Sequence, residues 1–164
     1  MEKRYVLSVL VENHAGVLSR VSGLFSRRGY NIDSLTVCET QDPGKSRMTI
    51  VVRGDEYTLE QIEKQLSKLV EVISIEHCDP SSTTQREMAL IKVRADGSKR
   101  AVIIETCNIF RAHIVDVAEN SLIVEATGSE DKITSLINLL APYGILELLK
   151  SGLSAMDRGS KVMC

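Results

Sequence analysis

The stretch from Tyr5 to Leu18 restricts the possible folds more than any other part of the chain. Tyr5 to Val11 is almost entirely apolar, as in a strand buried on both faces. After it, Val17, Leu18, Val21, Leu24 and Phe25 recur at helical spacing. The polar turn Glu12-Asn13-His14-Ala15-Gly16 separates the two patterns. A helix start presents N–H groups without intrahelical partners and roughly half a positive charge, a suitable seat for a carboxylate or phosphate. Gly16, lacking Cβ, lets a ligand come close to the backbone. An ordinary helix start uses the same residues, with Asn13 as cap and Gly16 as turn. Local chemistry leaves both readings open.

From Arg4 to Cys78 the pattern predicts strand, helix, strand, strand, helix, strand. The first strand ends at Val11, the first helix covers 17–28, and Gly29 closes it. A strand over 32–40 and one around Met48, Ile50 and Val52 flank the turn Asp42-Pro43-Gly44. Thr58-Leu59-Glu60-Gln61 fits a capping box with Thr58 as N-cap, and Leu59, Ile62, Leu66 and Leu69 form the apolar stripe of the helix it opens. The strand 72–78 completes a βαββαβ order. With right-handed crossovers this order gives a four-stranded antiparallel sheet carrying two helices on one face, a ferredoxin-like unit over residues 1–79.

Residues 80–86 are polar and read as a linker. Over 87–150 the same order returns: strand 87–95, helix about 98–110, strands 113–118 and 122–127, helix about 130–140, strand 145–149. The expected fold class is therefore α+β, with two ferredoxin-like βαββαβ units in tandem. The tail, 151–164, has little apolar pattern and reads as disordered or as docking on a partner.

The net charge of −2 divides nearly evenly between the halves, so no basic face points to nucleic acid or anionic lipid. No apolar run approaches the roughly 20 residues of a membrane span. Met1 to Arg4 leads into a strand without a signal-peptide pattern, so a cytoplasmic location is expected. Cys38, Cys78, Cys107 and Cys164 are scattered and suggest no metal site. There is no Gly-x-Ser-x-Gly elbow, Walker loop or Gly-x-Gly-x-x-Gly after a strand, so no catalytic residue is assigned. His14 is expected on a solvated loop with no neighbour to set its tautomer.

Asn13-x-x-Gly16-Val17-Leu18, on the strand-to-helix turn of a βαββαβ unit, resembles the ACT domain, an amino-acid-sensing module. Leu7 to Asn13, Arg27 to Val37, Ser46 to Ile50 and Glu60 to Leu66 are similar to the small regulatory subunit of acetolactate synthase (acetohydroxyacid synthase). The resemblance spans the chain and is densest over residues 4–78. It implies a non-catalytic subunit that activates a separate large catalytic subunit and confers feedback inhibition by valine or another branched-chain amino acid. This chain would hold no cofactor, with thiamine diphosphate, Mg and FAD expected in the catalytic partner. It further implies a homodimer through the ACT domains, with the effector between Asn13, His14, Ala15, Gly16, Val17 and Leu18 of one chain and Asn31 and Ile32 of the other. The effector's side chain is expected in a slot near Leu10, Leu18 and Ile32. The alternative is a structural adaptor whose ferredoxin-like units bind no small ligand.

Overall fold

A computed structural model describes residues 3–163. They form two compact units, one taking in the chain up to Thr84 together with the segment from Leu153 onward, the other Gln85–Gly152.

In the first unit β1 (Lys3–Glu12), α1 (Val17–Arg28), β2 (Ile32–Glu39), β3 (Lys45–Gly54), α2 (Glu56–Leu66) and β4 (Val72–His77) follow the expected order. The sheet is antiparallel with order β2-β3-β1-β4, so β1 is interior and β2 is an edge. Strand alternation sends Tyr5, Leu7, Val9 and Val11 toward the helices, where Val17, Val21, Leu24 and Phe25 of α1 and Ile62 and Leu66 of α2 close the core. Asp55, not Thr58, caps α2: its carboxylate accepts a 2.7 Å hydrogen bond from the Thr58 N–H, and the helix starts at Glu56. The first polar oxygen after β3 takes the capping role and shifts the helix start toward the N-terminus.

The other face of this sheet is covered by the C-terminal segment. Leu153 and Ala155, flanking Ser154 at the start of the short strand Ser154–Asp157, are buried against Val6, Val51 and Cys78. The Leu153 N–H donates to Ser34 Oγ at 3.1 Å. Arg47 donates through Nε to Ser8 Oγ at 2.8 Å and through Nη2 to the Ala155 carbonyl at 3.0 Å. Lys161 Nζ lies 2.9 Å from Glu76 and 3.2 Å from Asp157. The expectation of a disordered or partner-bound tail is therefore corrected: this segment packs on the chain's own first unit. It also explains why Val6, Ser8 and Leu10, on the face away from the helices, are buried. The stretch 80–86 is likewise more ordered than a linker, because Thr83 Oγ1 donates to the Asp79 carbonyl at 2.7 Å and the next strand already begins at Thr83.

The second unit repeats the order with β5 (Thr83–Arg94), α3 (Arg100–Ile109), β6 (His113–Val117), β7 (Ser121–Gly128), α4 (Glu130–Leu140) and β8 (Ile145–Lys150), arranged β6-β7-β5-β8. Ala89, Ile91, Val93, Ile103, Leu122, Val124, Ile133 and Leu136 build its core.

Leu153 is fully covered, so Leu153→Ala removes a buried side chain from a small cluster. The expected cost is about 2 kcal/mol, the lower end for such truncations. Hydrogen exchange of β1 and β3 amides should register it, with the amides of β6 and β7 in the second unit unchanged.

Candidate functional site

The loop between β1 and α1 is fixed from two sides. On one side the Asn13 N–H donates to the Gly44 carbonyl at 2.9 Å. The Asn13 amide Nδ2 donates to the Pro43 carbonyl at 2.9 Å and to Glu39 Oε2 at 3.2 Å. On the other side the Glu12 N–H donates to the Glu71 carbonyl at 2.8 Å, next to a register shift between β1 and β4 after Leu10. Glu71 is buried, with Oε1 2.7 Å from the Arg20 guanidinium on the first turn of α1. Asn13 thus does not cap α1. Gly16 occupies the N-cap position at φ +90°, and no side chain caps the helix. The Val17 N–H donates to the His14 carbonyl at 3.4 Å and the Arg20 N–H to the Gly16 carbonyl at 3.0 Å, which leaves Leu18 and Ser19 as the N–H groups of the first turn without a side-chain cap. A Cβ on Gly16 would meet nothing within 4 Å, so the glycine serves the left-handed backbone conformation and leaves clear space above it.

The remaining expected residues divide by orientation. Ala15 and Leu18 are exposed, Leu18 at 42%, whereas the Val17 side chain is in the core and offers only its backbone to a ligand. Leu10 lies between Val9 and Val11, which face the helices, and so points to the opposite face of the sheet. There it lines a cavity of about 630 Å³ with Thr36, Thr49 and Met156. The slot expected from Leu10, Leu18 and Ile32 does not form around Leu10. Asn31 and Ile32 are at the far end of the sheet: Ile32 pairs with Val52 and Val52 with Tyr5, while Glu12, next to Asn13, pairs with Lys45. Seven residues of β1 separate these levels, roughly 23 Å at the usual strand rise. Asn31 Nδ2 donates to Asp33 Oδ1 at 3.2 Å, and Arg53 Nε lies 2.6 Å from Asp33 Oδ2.

His14 has partners after all. Its Nε2 is 3.1 Å from Glu12 Oε2 and its Nδ1 is 3.1 Å from the Ala15 carbonyl. Both neighbours are acceptors, so both ring nitrogens are served best as donors. The Ala15 carbonyl first, and the Glu12 carboxylate next, hold the imidazole's pKa above its usual value. Among the described residues no cluster of His, Cys, Asp and Glu could hold a metal ion, and no helix is long and apolar enough to cross a membrane.

A family model described as the AHAS small subunit-like ACT domain matches residues 7–74, and one described as the small subunit of acetolactate synthase matches residues 86–159. The chain is 52% identical over 158 residues to a probable acetolactate synthase small subunit of Archaeoglobus fulgidus, covering 96% of this chain and 99% of that one. It is 49% identical over 160 residues to the probable small subunit of Methanothermobacter thermautotrophicus, covering 97% and 95%. The chain belongs to the acetolactate synthase small subunit family. A crystal structure of the acetolactate synthase small subunit from Thermotoga maritima superimposes with a TM-score of 0.89 at 44% identity, covering 97% of this chain and 99% of that one. As a member of this family the chain is a non-catalytic, regulatory ACT-domain subunit, and its β1–α1 loop is the loop of that ACT domain.

The equivalent loop of the second unit is built differently from the ACT loop. Arg100 at the start of α3 sends Nη2 to the carbonyls of Ala95, Ala118 and Glu119, at 3.1, 2.7 and 2.7 Å. A side chain of the small subunit itself ties that helix start down.

Glu12, Glu39, Glu71 and Arg20 were not singled out by sequence reasoning, although Glu12 stood two residues from His14. Because the folded loop raises the His14 pKa, protonation favours the folded arrangement. That contribution is complete below His14's ordinary pKa of roughly 6.5 and disappears as pH rises through the raised value. Proton NMR titration should find His14 above the ordinary value, and Glu12→Gln should bring it back toward that value.

Proposed function

We propose that this regulatory subunit activates a separate thiamine-diphosphate acetolactate synthase catalytic subunit and makes it sensitive to valine or another branched-chain amino acid held between two copies of the ACT domain. The observation that carries this reading is the register available to the open edge of β2. Asp33 is the extra residue of a bulge between Ile32 and Ser34, and Leu35, Val37 and Glu39 share the helix-side face. Two β2 strands paired antiparallel about Thr36 match Leu35 with Val37, Ser34 with Cys38 and Ile32 with Glu39. Each match joins residues on the same face, as an antiparallel ladder requires. This register uses the full length of the strand and buries the half-exposed Val37, leaving neither edge unpaired at the seam.

In that dimer Asn31 and Ile32 of the second copy come beside Glu39, and Glu39 is hydrogen-bonded to Asn13. The roughly 23 Å separation within one chain is thereby removed by symmetry. The effector's carboxylate meets the N–H groups at the start of α1, and its branched side chain lies against Leu18 and Ile32 of the second copy. Burying a valine-sized side chain contributes roughly 1.5–3 kcal/mol. Since both copies form the site, occupancy changes the seam, and a coupling of about 1–3 kcal/mol to the catalytic partner is the usual scale for such regulation.

Three measurements test this. Calorimetric titration with valine should show binding to the wild type and at least about tenfold weaker binding to Asn13→Ala, equivalent to ~1.4 kcal/mol. Val37→Glu should yield a folded monomer by sedimentation, because the change falls on the seam and not in the core. Added to a purified catalytic subunit, the wild type should raise the rate of acetolactate formation and valine should lower it. Unchanged rates would favour the adaptor reading.

A further inference from the structure

We infer that Glu39 binds the effector's ammonium group, making this ACT site selective for zwitterionic amino acids over the corresponding simple carboxylic acids. The inference rests on the effector site proposed above and adds to it the residue that reads the second charge.

A zwitterion whose carboxylate is held by the start of α1 needs an anionic or strongly polar acceptor close by for its ammonium. Four carboxylates lie around the loop. Glu12 is compensated by His14 at 3.1 Å. Asp42 caps the hairpin turn through the Gly44 N–H at 2.9 Å and faces Lys45 at 3.7 Å. Glu71 is buried and paired with Arg20 at 2.7 Å. Glu39 differs from these three. It is exposed at the end of the edge strand, on the helix-side face, and its contact at 3.2 Å is with the neutral amide of Asn13. That contact orients the carboxylate without neutralising it, and among the described residues no cation lies within salt-bridge distance of it.

The Asn13 amide therefore has a different role from direct capture of the ligand through its N–H groups. Nδ2 is engaged by Glu39 and Pro43, which leaves Oδ1 as a second acceptor beside the Glu39 carboxylate. In the β2 pairing described above, Glu39 lies opposite Ile32 of the second copy, so its charge sits at the seam, one hydrogen bond from Asn13 in the loop that leads into α1. The positive end of the helix and the negative carboxylate then form a dipolar cradle matching an α-amino acid. A ligand lacking the ammonium gains only the helix end and leaves Glu39 facing an uncharged group.

The test compares valine with 3-methylbutanoate, the same skeleton without the ammonium, by calorimetry on wild type, Glu39→Gln and Glu39→Asp. Wild type should prefer valine by about ten- to hundredfold, the range for one charge-assisted hydrogen bond. Glu39→Gln should erase most of that preference by weakening valine and leaving 3-methylbutanoate within about twofold. Glu39→Asp, which keeps the charge, should retain part of it. If Glu39→Gln weakens both ligands equally, Glu39 only props up the loop and the inference is overturned. If Glu39→Gln binds valine as wild type does, the inference is overturned while the effector site stands. If wild type binds neither ligand, the site itself is wrong and the inference falls with it.

Discussion

The burial of β1 on both faces is the constraint from which the regulatory unit follows. An interior strand that is apolar at successive positions needs two coverings. The helices supply one through Val17, Phe25, Ile62 and Leu66, and the returning segment supplies the other through Leu153 and Ala155. With the strand clamped in this way, its end at Glu12 is fixed, and so are the loop and the start of α1. Ser8 illustrates the requirement: it is fully buried, and its hydroxyl accepts from Arg47, which in turn holds the Ala155 carbonyl. A polar group in that interior is tolerated because it is part of the fastening.

The β1–α1 loop is short but attached to three other places in the unit. Asn13 ties it to the β2–β3 turn and to the end of β2, and Glu12 and Arg20 tie it to Glu71 before β4. A change in the loop is therefore felt at both edges of the sheet. In the proposed dimer one of those edges is the seam, which gives ligand occupancy a direct route to the relation between two copies. The route consists of contiguous hydrogen bonds from the loop to the end of β2.

The order of elements was legible in the sequence because the periods of 2 and 3.6 switch cleanly, and because Gly29 and Asp42-Pro43-Gly44 mark a helix end and a hairpin. The edge position of β2 followed from topology alone. The cap of α2 is not legible locally because Asp55 and Thr58 both have a capping oxygen, and the choice depends on where β3 ends. A slot shared by Leu10, Leu18 and Ile32 conflicts with strand alternation, because Val9 and Val11 face the helices and Leu10 between them faces away. The partners of Asn13 and His14 were hidden for another reason: Glu39, Pro43 and Glu71 are brought to the loop by strand pairing, and local sequence spacing does not record that. The covering of the outer face was half legible, since Val6 and Leu10 demanded a cover. The segment that provides it carries too few apolar residues to reveal itself.

The fastening of Leu153 against Val6 also sets a timetable for synthesis. Val6 precedes the second unit and its cover follows it, so the cover is made only after Gln85–Gly152 has been translated. Until then the first sheet exists with Val6, Leu10 and Val51 uncovered, a sticky surface on a nascent chain. Pairing of the first unit with another copy during that interval would have to begin from a sheet still bare on one side. The outer face of the first sheet is thus closed by a few residues that follow the second unit in the chain, so a sheet begun first is completed last.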